Sequence, residues 1–226
     1  MHSLILTIME YIKFNDLEFI GEGANGKVYK YKKSPYRNDL LAVVKISSSI
    51  EPSRAIAKYD LIKQTGLKHL AFFEECRVEG KPAILMEDLF TSVMVYVSPN
   101  SVKQGWIDNK PEAYLLDNKL NDVVNMDSLL MEMRDLVDHT NDSGIGLDMD
   151  MISFGVQRGN KDSIVSYKLV DIDAMLWDHS YCGQLYQTNA IAAKEAITLF
   201  VKLFIETDSV KQKLLKQIES FNWKIN

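Results

Sequence analysis

The sequence predicts an α+β fold with two lobes, a β-rich first third followed by a mostly helical remainder. Short runs rich in Val, Ile, Tyr and Phe alternate with turn residues up to about residue 89, and helical periodicity takes over after residue 126. The 226 residues, 46% of them apolar, can bury a full core and are too few for several large domains. We therefore expect one α+β fold of two lobes rather than a βαβ series.

The first lobe is predicted from strand-like runs and one helix. Glu51, Pro52 and Ser53 supply helix-start chemistry, and apolar residues recur at helical spacing until Gly66. Strands are expected at 17–20, 27–32, 40–46, 71–78 and 82–87.

The second lobe is predicted to be helical around one hairpin. A helix begins at Met126, because apolar residues recur every three or four positions, and the turn residues at 141–144 end it. The hairpin follows at 152–157 and 164–170, and two more helices at 190–205 and 210–221. Residues 91–125 are mixed in polarity, and only a strand at 93–97 is predicted there.

The charge and cysteine content exclude several functions. The net charge of −5 argues against nucleic acid as a partner, because phosphate binding needs clustered Lys and Arg. Residues 108–150 carry 11 acidic and 3 basic side chains, which indicates either a solvated acidic helix face or a surface that attracts basic peptides. The two cysteines lack CxxC spacing, so neither a disulfide framework nor a zinc site is predicted and a reducing compartment fits.

Residues 1–13 are predicted to be an N-terminal extension of the fold. Their apolar run at 4–8 has no basic region before it and is far below the length that spans a membrane. We therefore expect neither a signal peptide nor a membrane span, and Met9 is an alternative natural start.

A glycine-rich motif, GEGANG at 21–26, follows the first predicted strand. Dinucleotide-binding folds and kinases both use GxGxxG, and the element after the third glycine distinguishes them. Here Gly26 leads into the β-type run 27–32 instead of a helix. A strand–loop–strand flap of this kind lies over phosphates, because glycines let backbone amides approach them, and Val28 covers the base.

Lys45 stands nineteen residues after Gly26, within the run LAVVKI at 41–46. Strand alternation puts Val43 and Lys45 on one face. That face can present an apolar wall to adenine and an ammonium group to phosphate. The alternative is a strand-end lysine whose head reaches solvent.

The motifs GEGANGKV and AVVK resemble the glycine loop and the β3 lysine of the protein-kinase superfamily. The resemblance implies a protein-kinase-like two-lobed fold, with a β-rich N-lobe at 14–89 and a reduced, mostly helical C-lobe at 90–226. It implies ATP and Mg²⁺ as cofactors. The residues that it assigns to ATP binding in the loop and strand are Gly21, Gly23, Asn25, Gly26, Val28, Val43 and Lys45.

Two further segments of the first lobe continue the resemblance. Asp60 takes the place of the acidic partner of Lys45 on the following helix; the alternative is an ordinary exposed helix residue. The run ILMEDL at 84–89 is similar to the fifth strand and hinge of the family. It implies Met86 as gatekeeper and backbone contacts from Glu87 and Leu89 to adenine.

The run GIGLD at 144–148 resembles the start of the catalytic loop, with Asp148 as the base that orients the attacking hydroxyl and accepts its proton. Gly146 and Leu147 replace the usual His and Arg, so control by a phosphorylated activation loop is not expected. Ser153 replaces the metal-binding asparagine, and Asp150 is a nearby carboxylate that can substitute for it. Either aspartate can also be a plain turn residue.

The run YKLVDID at 167–173 resembles the strand that leads into the family's Asp-Phe-Gly element. The resemblance implies that Asp171 ligates the Mg²⁺ that bridges the ATP phosphates. Asp173 replaces the glycine and adds a second carboxylate. The alternative for Asp171 is a turn residue at the end of an apolar strand.

The resemblance covers about residues 14–180. No Ala-Pro-Glu motif and only 55 residues follow Asp171, and this truncated layout looks like the minimal kinases among bacterial effectors. It implies an atypical protein Ser/Thr or Tyr kinase, cytoplasmic or secreted into a host cytosol, that recognises its protein substrate through 91–125 or 174–188. A pseudokinase that keeps the fold without phosphoryl transfer is the alternative. A small-molecule kinase or a nucleotidyl transferase is a third interpretation.

Overall fold

The chain is built from strands first and helices later, which confirms the predicted α+β class. The computed structural model describes residues 12–23, 26–32, 42–47, 51–89, 94–105, 119–157, 162–172 and 175–224. The chain divides into two compact units. Unit 1 is made of Met1–Leu61 and Ala71–Ser92, and unit 2 of Ile62–Leu70 and Val93–Asn226.

Unit 1 contains a five-stranded antiparallel sheet in the order β1-β2-β3-β5-β4. Its strands are β1 Leu17–Gly23, β2 Gly26–Tyr31, β3 Ala42–Ser47, β4 Phe73–Val78 and β5 Lys81–Glu87. One face of the sheet carries an apolar core of Ile12, Leu17, Tyr29, Tyr31, Val44, Cys76, Val78, Ala83 and Leu85. Ile12, which belongs to the predicted N-terminal extension, joins this core and forms a bridge with Val78.

The opposite face of the same sheet carries Val43 and Lys45, because side chains alternate along a strand. Helix α1, Pro52–Gln64, covers part of this face. Its Tyr59 ring stacks on the ring of Phe73 at 5.7 Å between centroids, and Phe73 lies across from Met86 in the ladder. The predicted helix and five strands of this region are therefore confirmed.

Unit 2 is mostly helical. Its helices are α2 Pro99–Lys103, α3 Met126–Asp142, α4 Tyr186–Phe204 and α5 Asp208–Ser220. Helix α4 packs against both α3 and α5, and the apolar residues of α3 that predicted a helix are its buried face. In the part of the chain that the structure describes, no helix combines the length and apolarity needed to cross a bilayer.

A three-stranded antiparallel sheet lies within unit 2, formed by β6 Met94–Val97, β9 Ile152–Gln157 and β11 Ser166–Leu169 in the order β11-β9-β6. The central strand β9 is buried over residues 152–156, and its Phe154 ring lies 4.8 Å from that of Phe200 on α4. Two short ladders complete the unit: β7 Asp122–Val123 with β10 Asp162–Ser163, and β8 Ile145–Gly146 with β12 Leu176–Trp177.

Candidate active site

The described glycines of the motif lie where β1 and β2 pair as antiparallel strands. Gly23 pairs with Gly26, Gly21 pairs with Val28, and a bulge falls between Phe19 and Gly21. Gly26 has φ of 142°, a backbone conformation that favours glycine. A strand therefore follows the third glycine, as predicted for a phosphate-covering flap and unlike the helix of a dinucleotide-binding fold. Asn25, the remaining predicted loop contact, lies outside the described residues.

Lys45 lies on the strand next to this hairpin. It is directly across from Val28 on β2 and from Ile84 on β5, and Val43 lies one step along the same face. The lysine is only 9% exposed, so its side chain is nearly buried and does not extend into solvent. Burying an ammonium group is costly without polar partners. The strand register places Lys45 beside the glycine hairpin within unit 1.

The predicted hinge residues are at the end of β5. Met86, Glu87 and Leu89 are all half-buried. The Glu87 N–H donates to the Phe72 carbonyl at 3.1 Å, and the Phe72 N–H donates to Glu87 Oε2 at 3.3 Å. A nucleotide contact through the Glu87 N–H would require this pairing to open.

Helix α1 presents Tyr59 to the sheet and leaves the following residue, Asp60, exposed. Burial is the main cause that raises the pKa of Tyr59, and the nearby charges of Asp60 and Glu87 add to it, while a hydrogen bond from the Phe73 backbone acts against them. Tyr59 is thus a residue by which this turn of the helix packs on the sheet of unit 1.

In unit 2, the segment before Asp148 is fixed from two sides. Gly144 has φ of 68°, and a Cβ there would clash with the carbonyl oxygen of Asp178. The Asp178 N–H donates to the Gly144 carbonyl at 3.0 Å, and the β8–β12 ladder continues this contact. Glycine is therefore required at the first position of the predicted catalytic loop.

Asn189 of α4 holds the same segment from the other side. Its Oδ1 accepts from the Leu147 N–H at 2.9 Å, and its Nδ2 donates to the Ile145 carbonyl at 2.8 Å and to Thr140 Oγ1 at 3.0 Å. The side chain is fully buried, so these bonds form without competition from water. Asn189 thus positions the backbone that leads to Asp148. The sequence alone did not indicate this role, because the partners of Asn189 lie 42, 44 and 49 residues away in the chain.

Asp148 is exposed at the start of the 3-10 turn Met149–Met151. Its N–H lies 3.3 Å from Met151 Sδ, and the Met151 N–H donates to the Asp148 carbonyl at 3.1 Å. Within the described residues, Asp150 Oδ1 is buried and accepts no hydrogen bond. Ser153 is 3% exposed and lies across from Lys168 in the β9–β11 ladder.

Asp171 lies beside this turn, because β11 runs antiparallel to β9. Leu169 pairs with Ile152, and the Val170 N–H donates to the Met151 carbonyl at 2.8 Å. Asp171 has φ of 54°, a left-handed conformation that is uncommon outside glycine and concentrates at functional sites. Unit 2 therefore brings the Asp148–Met151 turn and Asp171 together. Asp173 lies outside the described residues.

The donor set of unit 2 fits Mg²⁺ bound with a phosphate ligand. The described residues include no group of three or more His, Cys, Asp or Glu side chains that could enclose a metal. Mg²⁺ does not need such a group, because it keeps several waters and uses one or two carboxylates plus substrate phosphates. A buried carboxylate oxygen without a partner, as in Asp150, is costly unless a cation or a donor satisfies it.

Two tyrosines of the predicted recognition segment 174–188 differ in their surroundings. The Tyr186 hydroxyl donates to the Trp223 carbonyl at 3.0 Å, so Tyr186 serves internal packing. Tyr181 is 41% exposed and remains available to a partner.

Neither the models of known protein families nor the curated proteins give a match to this chain.

Proposed function

We propose that this protein is an ATP- and Mg²⁺-dependent phosphotransferase, an atypical protein kinase that acts on a Ser, Thr or Tyr hydroxyl. The observation that carries the proposal is the register of β2 and β3, in which nearly buried Lys45 lies directly across from Val28 of the glycine hairpin. Backbone amides of a glycine hairpin and one lysine form a set of donors suited to phosphates.

Each residue group has a separate role in this proposal. The hairpin and Lys45 bind the phosphates, and Val28 and Val43 contact the adenine ring. Asp171 and Asp150 would hold Mg²⁺, which neutralises charge on the phosphates when bound. Asp148 orients the acceptor hydroxyl and takes its proton on the carboxylate. The acceptor oxygen then bonds to the γ-phosphorus, the bond to the bridging oxygen breaks, and ADP leaves.

A pseudokinase is the second candidate, and one observation favours it. Gly146 stands where the family has histidine, and a Cβ at this position would lie 3.0 Å from Leu176 Cβ. A histidine would therefore require Leu176 to shift, so the local packing is built around the glycine. A protein of this kind would bind ATP without transferring phosphate.

Calorimetric titration of MgATP tests the site first. Lys45→Met removes one charge-assisted phosphate contact, and we expect about 10- to 100-fold weaker binding. Lys81→Met is the matched control, because Lys81 is exposed at the start of β5 on the same sheet, where it pairs with Val78 and not with a residue of the proposed site. Equal binding by wild type and Lys45→Met, or no binding by wild type at millimolar ATP, would overturn the nucleotide site. Normal binding without transfer to any protein would favour the pseudokinase.

A further inference from the structure

A cleft of about 330 Å³ lies entirely within unit 2. It is bordered by the segment after helix α1, by one face of α3 and by Tyr167 of β11. Its size is at the lower end of the range for ligand pockets. None of its lining residues has a role in the proposed transfer reaction, although Tyr167 on β11 lies four residues before Asp171 in the chain.

One wall of the cleft is aromatic and fixed. The rings of His69 and Tyr167 lie 4.8 Å apart at an interplanar angle of 44°. The Leu169 N–H donates to the His69 carbonyl at 2.8 Å, and His69 holds φ of 60°. On the α3 side, His139 Nε2 lies 3.1 Å from Thr65 Oγ1. These contacts hold the wall in place without a ligand.

The α3 side of the cleft is acidic. Glu132 and Asp135 lie one turn apart on α3, both are exposed, and neither forms an ion pair within the described part of the chain. The Tyr167 hydroxyl donates to the Glu132 carbonyl at 3.4 Å. Burial raises the pKa of Tyr167, and the negative charges of Glu132 and Asp135 raise it further. Both carboxylates are therefore close enough to the aromatic wall for their charge to affect the tyrosine hydroxyl.

The cleft has a net negative charge that one bound cation would neutralise. Lys68 contributes one positive charge against the two carboxylates, which leaves a net charge of −1 with His69 and His139 neutral. A guanidinium group suits this surface better than an ammonium group, because it can stack on the exposed ring of His69, which is backed by buried Tyr167, and binds carboxylates through two parallel hydrogen bonds.

We propose that this cleft docks an arginine side chain of a basic segment in the protein that the enzyme phosphorylates. That the docked protein is a substrate rests on the proposed function. Arginine binding itself rests on the cleft alone. Docking through β11 and α3 would supply contacts for a substrate remote from the reacting hydroxyl, and those contacts would lower KM rather than raise kcat.

Arginine binding can be measured without ATP. The probe is a blocked pentapeptide with one central arginine, and its control carries citrulline, which has the same shape without the charge. We expect the arginine peptide to bind in the millimolar range and to shift the amide resonances of His69 and Tyr167 in a heteronuclear NMR titration. Equal binding of the citrulline peptide, shifts confined to other residues, or no binding would overturn the proposal.

Charge-removing variants locate the binding. Glu132→Gln with Asp135→Asn should weaken the arginine peptide at least fivefold, whereas Asp142→Asn, an exposed aspartate of the same helix, should not. An unchanged affinity in the double variant would overturn the assignment. Lys45→Met should bind the peptide normally. Peptide binding without phosphate transfer would refute the proposed function and leave the docking site standing, whereas transfer without peptide binding would do the reverse.

Discussion

Replacing Asn189 with alanine should destabilise unit 2 more than any single exposed change. The variant leaves the Leu147 N–H and the buried Ile145 carbonyl without their partner. Each orphaned buried group costs about 1–3 kcal/mol, so the expected loss is roughly 2–6 kcal/mol. That is a large part of the roughly 5–15 kcal/mol by which a domain is stable.

Urea unfolding followed by tryptophan fluorescence measures this loss in the right place, because all three tryptophans belong to unit 2. We expect the midpoint to fall by about 1 M or more without a change in slope. The Leu147 amide should also lose protection in hydrogen exchange. Gln187→Ala, an exposed position in the first turn of the same helix, is the control. A loss below about 0.5 kcal/mol, the level of ordinary surface changes, would refute the positioning role of Asn189.

Three further outcomes follow from the structure. Gly144→Ala should cost more than Gly66→Ala in chemical denaturation, because both glycines have positive φ but only Gly144 has the Asp178 carbonyl where the methyl group would lie; similar losses would contradict this. Burial raises the pKa of Cys76 from 9.0 to about 12, so its thiol keeps its proton in the folded state while the unfolded chain loses it. Stability should therefore fall by about 1.4 kcal/mol between pH 8 and pH 10 relative to Cys76→Ala, and an equal pH slope in both proteins would refute it. Iodoacetamide at pH 8 should alkylate exposed Cys182 and leave Cys76 unmodified in the native protein, as peptide mass spectrometry can check.

Local patterns in the sequence predicted most elements, because the spacing of apolar residues over a few neighbouring positions differs between a strand and a helix. The glycine hairpin was predictable because the residues after Gly26 are β-formers. The same period placed Val43 and Lys45 on one face of β3. Residues 126–142 were predictable because their apolar face repeats at helical spacing.

Long-range pairing was not predictable. Strand β6 joins β9 across more than fifty residues, and a short apolar run such as 94–97 carries no signal for its partner. Polar residues that tie distant segments were also missed. Asn141 looked like a helix stop, yet its Oδ1 accepts from the Leu185 N–H at 3.1 Å. The cleft between residues 66–69 and α3 was not predictable for the same reason, because the residues that line it are far apart in the sequence.

The central claim is tested most directly by phosphate transfer from labelled ATP. The purified protein is incubated with Mg²⁺, a protein extract and ATP labelled at either the γ- or the α-phosphate. We predict that γ-label, and not α-label, appears on protein hydroxyls. Asp148→Asn should reduce the transfer about 100-fold or more without weakening MgATP binding, while Asp208→Asn, an exposed aspartate of the same unit, should not. Transfer of α-label, or MgATP binding with no transfer at all, would contradict the claim.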